Sequence, residues 1–137
     1  MPVMKDIRNK IRETLGEYRP EVARICLELL EYVTSQPLDK NLHLTYSLLK
    51  SEGGAKSDSE LLLALQYLSG DSARVLDMKF EFLDESGEYI SVEDEIVAEA
   101  RQSDIFYHPF TGQPVPDYQK SLVVYFARGT AVQTVEA

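Results

Sequence analysis

Cysteine is almost missing from this 137-residue chain, and the lone Cys26 excludes an internal disulfide. Histidine is scarce as well. His43 and His108, with Cys26 far from both, cannot supply a zinc cluster of recognisable spacing, and no cofactor or metal is expected. No apolar run approaches the roughly 20 residues that span a bilayer. The first stretch, MPVMKDIRNK, enters charged helix without the apolar segment of a signal peptide. These absences suggest a cytoplasmic protein of bacterial or viral type with no membrane partner.

Basic residues are also missing, but only from part of the chain. Residues 1–40 hold seven basic and seven acidic side chains, while residues 41–137 hold seven and sixteen, which accounts for the whole net charge of −9. Asp84 to Asp104 carries eight acids against Arg101 alone. Such a field repels phosphate backbones and anionic membranes, and it favours basic partners or simply keeps the chain soluble.

The apolar pattern predicts a mixed α+β fold in one domain. A first helix over Met4 to Tyr18 has a thin stripe of Ile7, Ile11 and Leu15, suited to the domain's outside or to self-association through residues 4–18. Proline at the first turn starts a second helix, Pro20 to Ser35, with Val22, Ile25, Cys26, Leu29, Leu30 and Val33 on its core face. Asp39 caps a third helix running to Lys50, and Gly53-Gly54 stops it. Ser57 and Glu60 have capping-box spacing for a fourth helix, with Leu61, Ala64, Leu65 and Leu68 inward and Ser69-Gly70 at its end. Leu76, Met78, Phe80 and Phe82 alternate with charged residues, as in a half-buried strand. Asp84 to Gly87 turns the chain and Tyr89-Ile90 begins a return strand. Ser91 then caps a fifth helix, Val92 to Gln102, with a stripe of Val92, Ile96, Val97 and Ala100. Ile105 to Gln119 is a loop with three prolines, Leu122 to Ala127 a last strand, and 129–137 a flexible tail.

Helices two to four followed at once by a hairpin resemble a winged helix-turn-helix over residues 20–90. The resemblance rests on element order and implies a winged-helix-type helical bundle, here with an added helix (within 91–128) and a C-terminal strand. It also implies a reading helix at residues 58–69, where Ser59, Gln66 and Tyr67 would face DNA, and a hairpin wing on the backbone. The chemistry opposes that use. No Arg or Lys lies between Asp58 and Ser72, and the wing tip carries Asp84, Glu85 and Glu88. Affinity for nucleic acid rests largely on basic contacts that release counterions, and few are available.

Other chemistry is thin. Cys26 lies on an apolar face and reads as a small core residue. His108 is placed to pair with Asp117 or Tyr118 as an acid–base site, or to order the loop around Pro109. The hairpin is no calcium loop, because counting back from Gly87 as the sixth position puts Phe82 where a carboxylate is required. Phe106, Tyr107, Phe110 and Tyr118 surround the prolines, either covering the core or offering rigid contact area to a partner, or dividing between the two tasks.

These features point to a non-enzymatic adaptor or accessory subunit of a bacterial regulatory or defence complex, binding another protein with a basic surface. The candidate surfaces are the acidic stretch, with Asp84, Glu85, Glu88, Glu93, Asp94 and Glu95, and the loop, with Phe106, Tyr107, His108, Phe110 and Tyr118. The alternatives are a dimeric DNA-binding regulator, an acidic phage-type inhibitor of a nucleic-acid enzyme, and an enzyme that uses His108.

Overall fold

The structure, a computed structural model, describes residues 4–133. The fold is α+β, with five helices and a three-stranded sheet of order β2-β1-β3. Two compact units divide it: residues 4–77 with 126–133, and residues 78–125. No helix among the described residues is long and apolar enough to cross a membrane.

The first unit holds α1 (Met4–Leu15), α2 (Pro20–Ser35), α3 (Tyr46–Glu52) and α4 (Asp58–Ser69). The bounds of α2 match those read from its periodicity. Its Ile25, Leu29, Leu30 and Val33 are wholly buried, each contributing about 1.5–3 kcal/mol of gross burial energy. α4 is capped as expected, with Ser57 Oγ accepting from Glu60 N at 3.2 Å, and it buries Leu61, Ala64, Leu65 and Leu68. α1 ends earlier than expected, at Leu15. Its stripe packs inward: Met4 and Ile11 are buried in the core that α2 and α4 share, with Ile7 and Leu15 against it. Of the stripe read as suited to the domain's outside or to self-association, Ile11 is covered by the chain's own unit and Ile7 and Leu15 are half-buried against it. Cys26 is a core thiol, and burial pushes its pKa up to about 12, the opposite of a reactive nucleophile.

The third helix differs from expectation. Asp39 does not cap it. The helix begins only at Tyr46, where Thr45 Oγ1 accepts from Leu48 N. Leu42 and Leu44 are buried while His43 between them is exposed, which is the alternation of extended chain. Leu44 exchanges both backbone bonds with Phe126, at 2.8 and 2.9 Å. His43 thus lies on extended backbone and not early in a helix.

The second unit is built on β1 (Leu76–Leu83), β2 (Tyr89–Val92), α5 (Asp94–Ser103) and β3 (Leu122–Arg128), the chain entering along β1 and leaving along β3. β1 and β2 are antiparallel, with Phe80 opposite Val92 and Phe82 opposite Ile90. Those four residues join Val97, Ala100, Phe106 and Tyr118 in one apolar cluster. Met78, placed inward by simple alternation, is 41% exposed and belongs to neither core. Ser91 does not cap α5. It lies in β2, and Glu93 takes the cap position with no side-chain bond. Ile96, expected in the buried stripe, is exposed because only Val97 and Ala100 face the cluster. Asp104 ends α5 in the left-handed conformation, at φ 61°.

The expected fraying tail is ordered through residue 133. Arg128 is buried, Thr130–Val132 forms a 3-10 turn, and Val132 is fully covered. Residues 134–137 of that tail lie outside the described residues.

Candidate functional site

The turn between β1 and β2 is organised by Asp84. Its Oδ1 accepts from Ser86 N, its carbonyl accepts from Gly87 N, and its own N–H donates to Glu88 O at 2.9 Å. Gly87 supplies the positive φ of 87° that such a turn requires. Asp84 Oδ2 lies 2.9 Å from His108 Nε2, and the two side chains are only 18% and 17% exposed. Asp84 is therefore an internal anchor and not a free surface carboxylate.

His108 has neither of its expected partners. Its Nδ1 accepts from Phe110 N at 3.1 Å and from Thr111 N at 3.3 Å, so that nitrogen carries no proton and Nε2–H donates to Asp84. Both ring nitrogens are engaged in holding the loop to the turn. Asp117 sits instead at a left-handed corner, at φ 52°, and the Tyr118 hydroxyl donates to Ala100 O at 3.1 Å. The geometry suits a tether, with no spare nitrogen for acid–base work.

Bonds from Ser86, first through its side chain and then its backbone N–H, followed by that from His108, hold the Asp84 carboxyl down to about 2 from its usual 3.8. The unfolded chain takes up this proton first as pH falls. The carboxylate's contribution to stability is then complete above 3.8 and disappears as pH falls to about 2. In urea unfolding, wild type and Asp84→Asn are expected to differ in stability above pH 3.8 and to converge as pH approaches 2. A gap that stays constant with pH would assign no role to the charge.

The loop aromatics divide. Phe106 and Tyr118 are core residues, 1% and 4% exposed, and their rings stack at 5.7 Å. Neither offers surface to a partner, so these two of the candidate contact residues take the core-covering task. Tyr107 and Phe110 point outward, 56% and 71% exposed. Glu85 and Glu88 are exposed around the hairpin turn, and Glu93, Asp94 and Glu95 are exposed at the start of α5. There they lie at the positive helix end.

Among the residues proposed to read DNA, Ser59 is exposed with Oγ 2.9 Å from Ser57 Oγ, Gln66 is exposed, and Tyr67 packs on the helical core. Exposed Leu62 and Leu63 share that part of α4, whose own residues supply no cation, and Lys50 at its start is paired with Asp58 at 2.7 Å.

The second unit has a groove that local reading of the chain does not disclose. It occupies about 430 Å³ between the end of β2, α5 and the start of the loop, within the range of ligand sites. Ile96, Ile105, Phe106 and Tyr107 give it an apolar lining, and Glu93 and Glu99 bring carboxylates to it. Ile96 and Ile105 are each 45% exposed. Neither Glu93 nor Glu99 forms an ion pair among the described residues. Ile96 and Glu99 join the site because α5 turns one face to the groove, and Ile105 joins it from the start of the loop.

Among the described residues, no group of three or more His, Cys, Asp or Glu side chains could hold a metal ion. Comparison with protein-family models, curated proteins and solved structures gives no match.

Proposed function

We propose that this chain is a non-enzymatic interaction module, an adaptor or accessory subunit, that holds a basic segment of another protein in the groove beside α5. The observation that supports this reading most is the pairing of exposed apolar side chains, Ile96, Ile105 and Tyr107, with the unpaired carboxylates of Glu93 and Glu99 in one concavity. Apolar anchors supply affinity on desolvation, and carboxylates select the sign of the partner. His108, committed to Asp84 and to two backbone N–H groups, supports the absence of acid–base chemistry. The helix order that resembles a winged helix serves as scaffold in this reading. Its DNA-reading use draws no support from a half-apolar α4 surface and an acidic hairpin.

A peptide-array screen followed by nuclear magnetic resonance mapping tests it. Recovered binders are expected to be rich in Lys and Arg around an aliphatic or aromatic anchor, and to shift resonances of Ile96, Ile105 and Tyr107. Ile96→Asp or the pair Glu93→Lys/Glu99→Lys is expected to weaken binding by about tenfold or more. Acidic binders, or retardation of an oligonucleotide at about 50 mM salt that vanishes as salt rises, would overturn the reading.

A further inference from the structure

Beside the groove lies an unused backbone edge. β2 is the outermost strand of the sheet, paired only with β1. Among the described residues, no backbone bond joins residues 89–92 to any other part of the chain. Outward N–H and C=O groups of such a strand are a template for another strand. Tyr89 is 56% exposed and Ser91 is exposed, while Ile90 and Val92 face the apolar cluster. Ser91, Val92 and Glu93 also line the groove, which puts the edge and the apolar concavity side by side.

The flanking charges decide what fits. Exposed Glu88 and Glu93 stand immediately before and after the strand, five positions apart. A second copy pairing antiparallel with β2 would bring Glu88 of one chain toward Glu93 of the other, and like charges across a strand pair are destabilising. Asp94 and Glu95 add to that repulsion. A strand with Lys or Arg at those two places would be complemented at both ends.

Resting on the groove reading above, we infer that β2 binds its partner by strand addition. The occupant is an extended peptide with two basic residues five positions apart, pairing its backbone with residues 89–92 and turning an intervening apolar side chain into the groove at Ile96, Ile105 and Tyr107. A five-residue interval puts the two basic side chains on opposite faces of the added strand, as Glu88 and Glu93 are on β2. Exposed carboxylates at both ends of a short edge strand then have two effects: they resist self-pairing and they select the partner.

The probe is an acetylated, amidated peptide of sequence Lys-Val-Thr-Val-Thr-Lys, titrated into the full chain and followed by amide shifts and hydrogen exchange. Strand addition requires slowed exchange at alternate residues of 89–92. It also requires that N-methylation of the peptide's amides in one alternate register weaken binding by about tenfold or more while the other register binds like the parent. Replacing both Lys by Glu is expected to remove binding to wild type and restore it to Glu88→Lys/Glu93→Lys. If both N-methylated registers bind as well as the parent, the peptide lies in the groove without backbone pairing, so this inference falls while the groove reading stands. No binding of the parent peptide overturns the inference, and the array screen still judges the groove. Concentration-dependent protection of residues 89–92 in the chain alone would make the occupant a second copy and overturn it too.

Discussion

Phe106→Ala is expected to unfold the 78–125 unit, while Phe110→Ala, four residues along the same loop, leaves it folded. Phe106 is 1% exposed, lies 5.1 Å from the ring of Phe82 and 5.7 Å from that of Tyr118, and belongs to the only apolar cluster of that unit among the described residues. Truncating such a ring costs about 3–5 kcal/mol, part from lost transfer energy and part from the cavity left behind. A unit of 48 residues has a total stability of about 2–7 kcal/mol at ~0.05–0.15 kcal/mol per residue, so the loss is comparable with the whole. Phe110 is 71% exposed, and its ring lies tilted to that of His108 with centroids 6.0 Å apart. Its removal is expected to change stability by no more than about 0.5 kcal/mol. Residue-resolved hydrogen exchange distinguishes the outcomes. Protection at Phe82, Ile90 and Val97 collapses in the first variant and persists in the second. A Phe106→Ala protein with intact protection there would mean that the core of this unit does not depend on the loop.

This division within a single loop shows where sequence reading reaches its limit. Four aromatics around three prolines look alike along the chain. Only the fold decides that Phe106 and Tyr118 turn inward and that Tyr107 and Phe110 turn out, because the neighbours of Phe106 are Phe82 and Tyr118, not adjacent residues. Local signals are legible where local energetics dominate. α2 follows its own periodicity, and α4 follows its Ser57 cap and its inward row. Misreadings came where extended chain was short. Leu42, His43 and Leu44 fit a helix face as readily as a strand until the bonds to Phe126 fix them as extended. Ser91 has the chemistry of a cap but is held in β2 opposite Glu81. The Asp84–His108 contact joins residues 24 positions apart, and nothing nearby in the chain announces it. The acidic stretch was legible as a surface feature, whereas the groove that gives it shape depends on how α5 meets the loop.

Arg128 is the most consequential residue that nothing nearby in the chain announces. It stands at the end of β3, next to the expected flexible tail, yet it is 9% exposed. Its Nη1 donates to Val33 O at 3.0 Å, and its Nη2 donates to Pro37 O at 3.0 Å and Gln36 O at 3.3 Å. These carbonyls belong to the last turn of α2 and the residues just beyond it, where a helix leaves acceptors unpaired and its dipole is negative. α2 has no basic residue in its own last turn, so a guanidinium from more than ninety positions away supplies both the donors and the charge. Burial draws the Arg128 pKa down from its ordinary value, but an arginine so placed keeps its charge in the neutral range. Arg128→Ala removes three charge-assisted bonds, leaves carbonyls short of donors beside the core, and opens a void. The expected loss is about 2–4 kcal/mol, or roughly 10 °C in the thermal midpoint for a chain of this length. Arg128→Lys keeps the charge but not the fork that reaches several carbonyls at once, so it is expected to recover only part of the loss. Thermal and urea unfolding of the three proteins measure the order wild type, Lys variant, Ala variant. Equal stability of the Lys and Ala variants would assign the effect to the fork geometry alone. An Ala variant within about 0.5 kcal/mol of wild type would show that water replaces the guanidinium without cost at the end of α2.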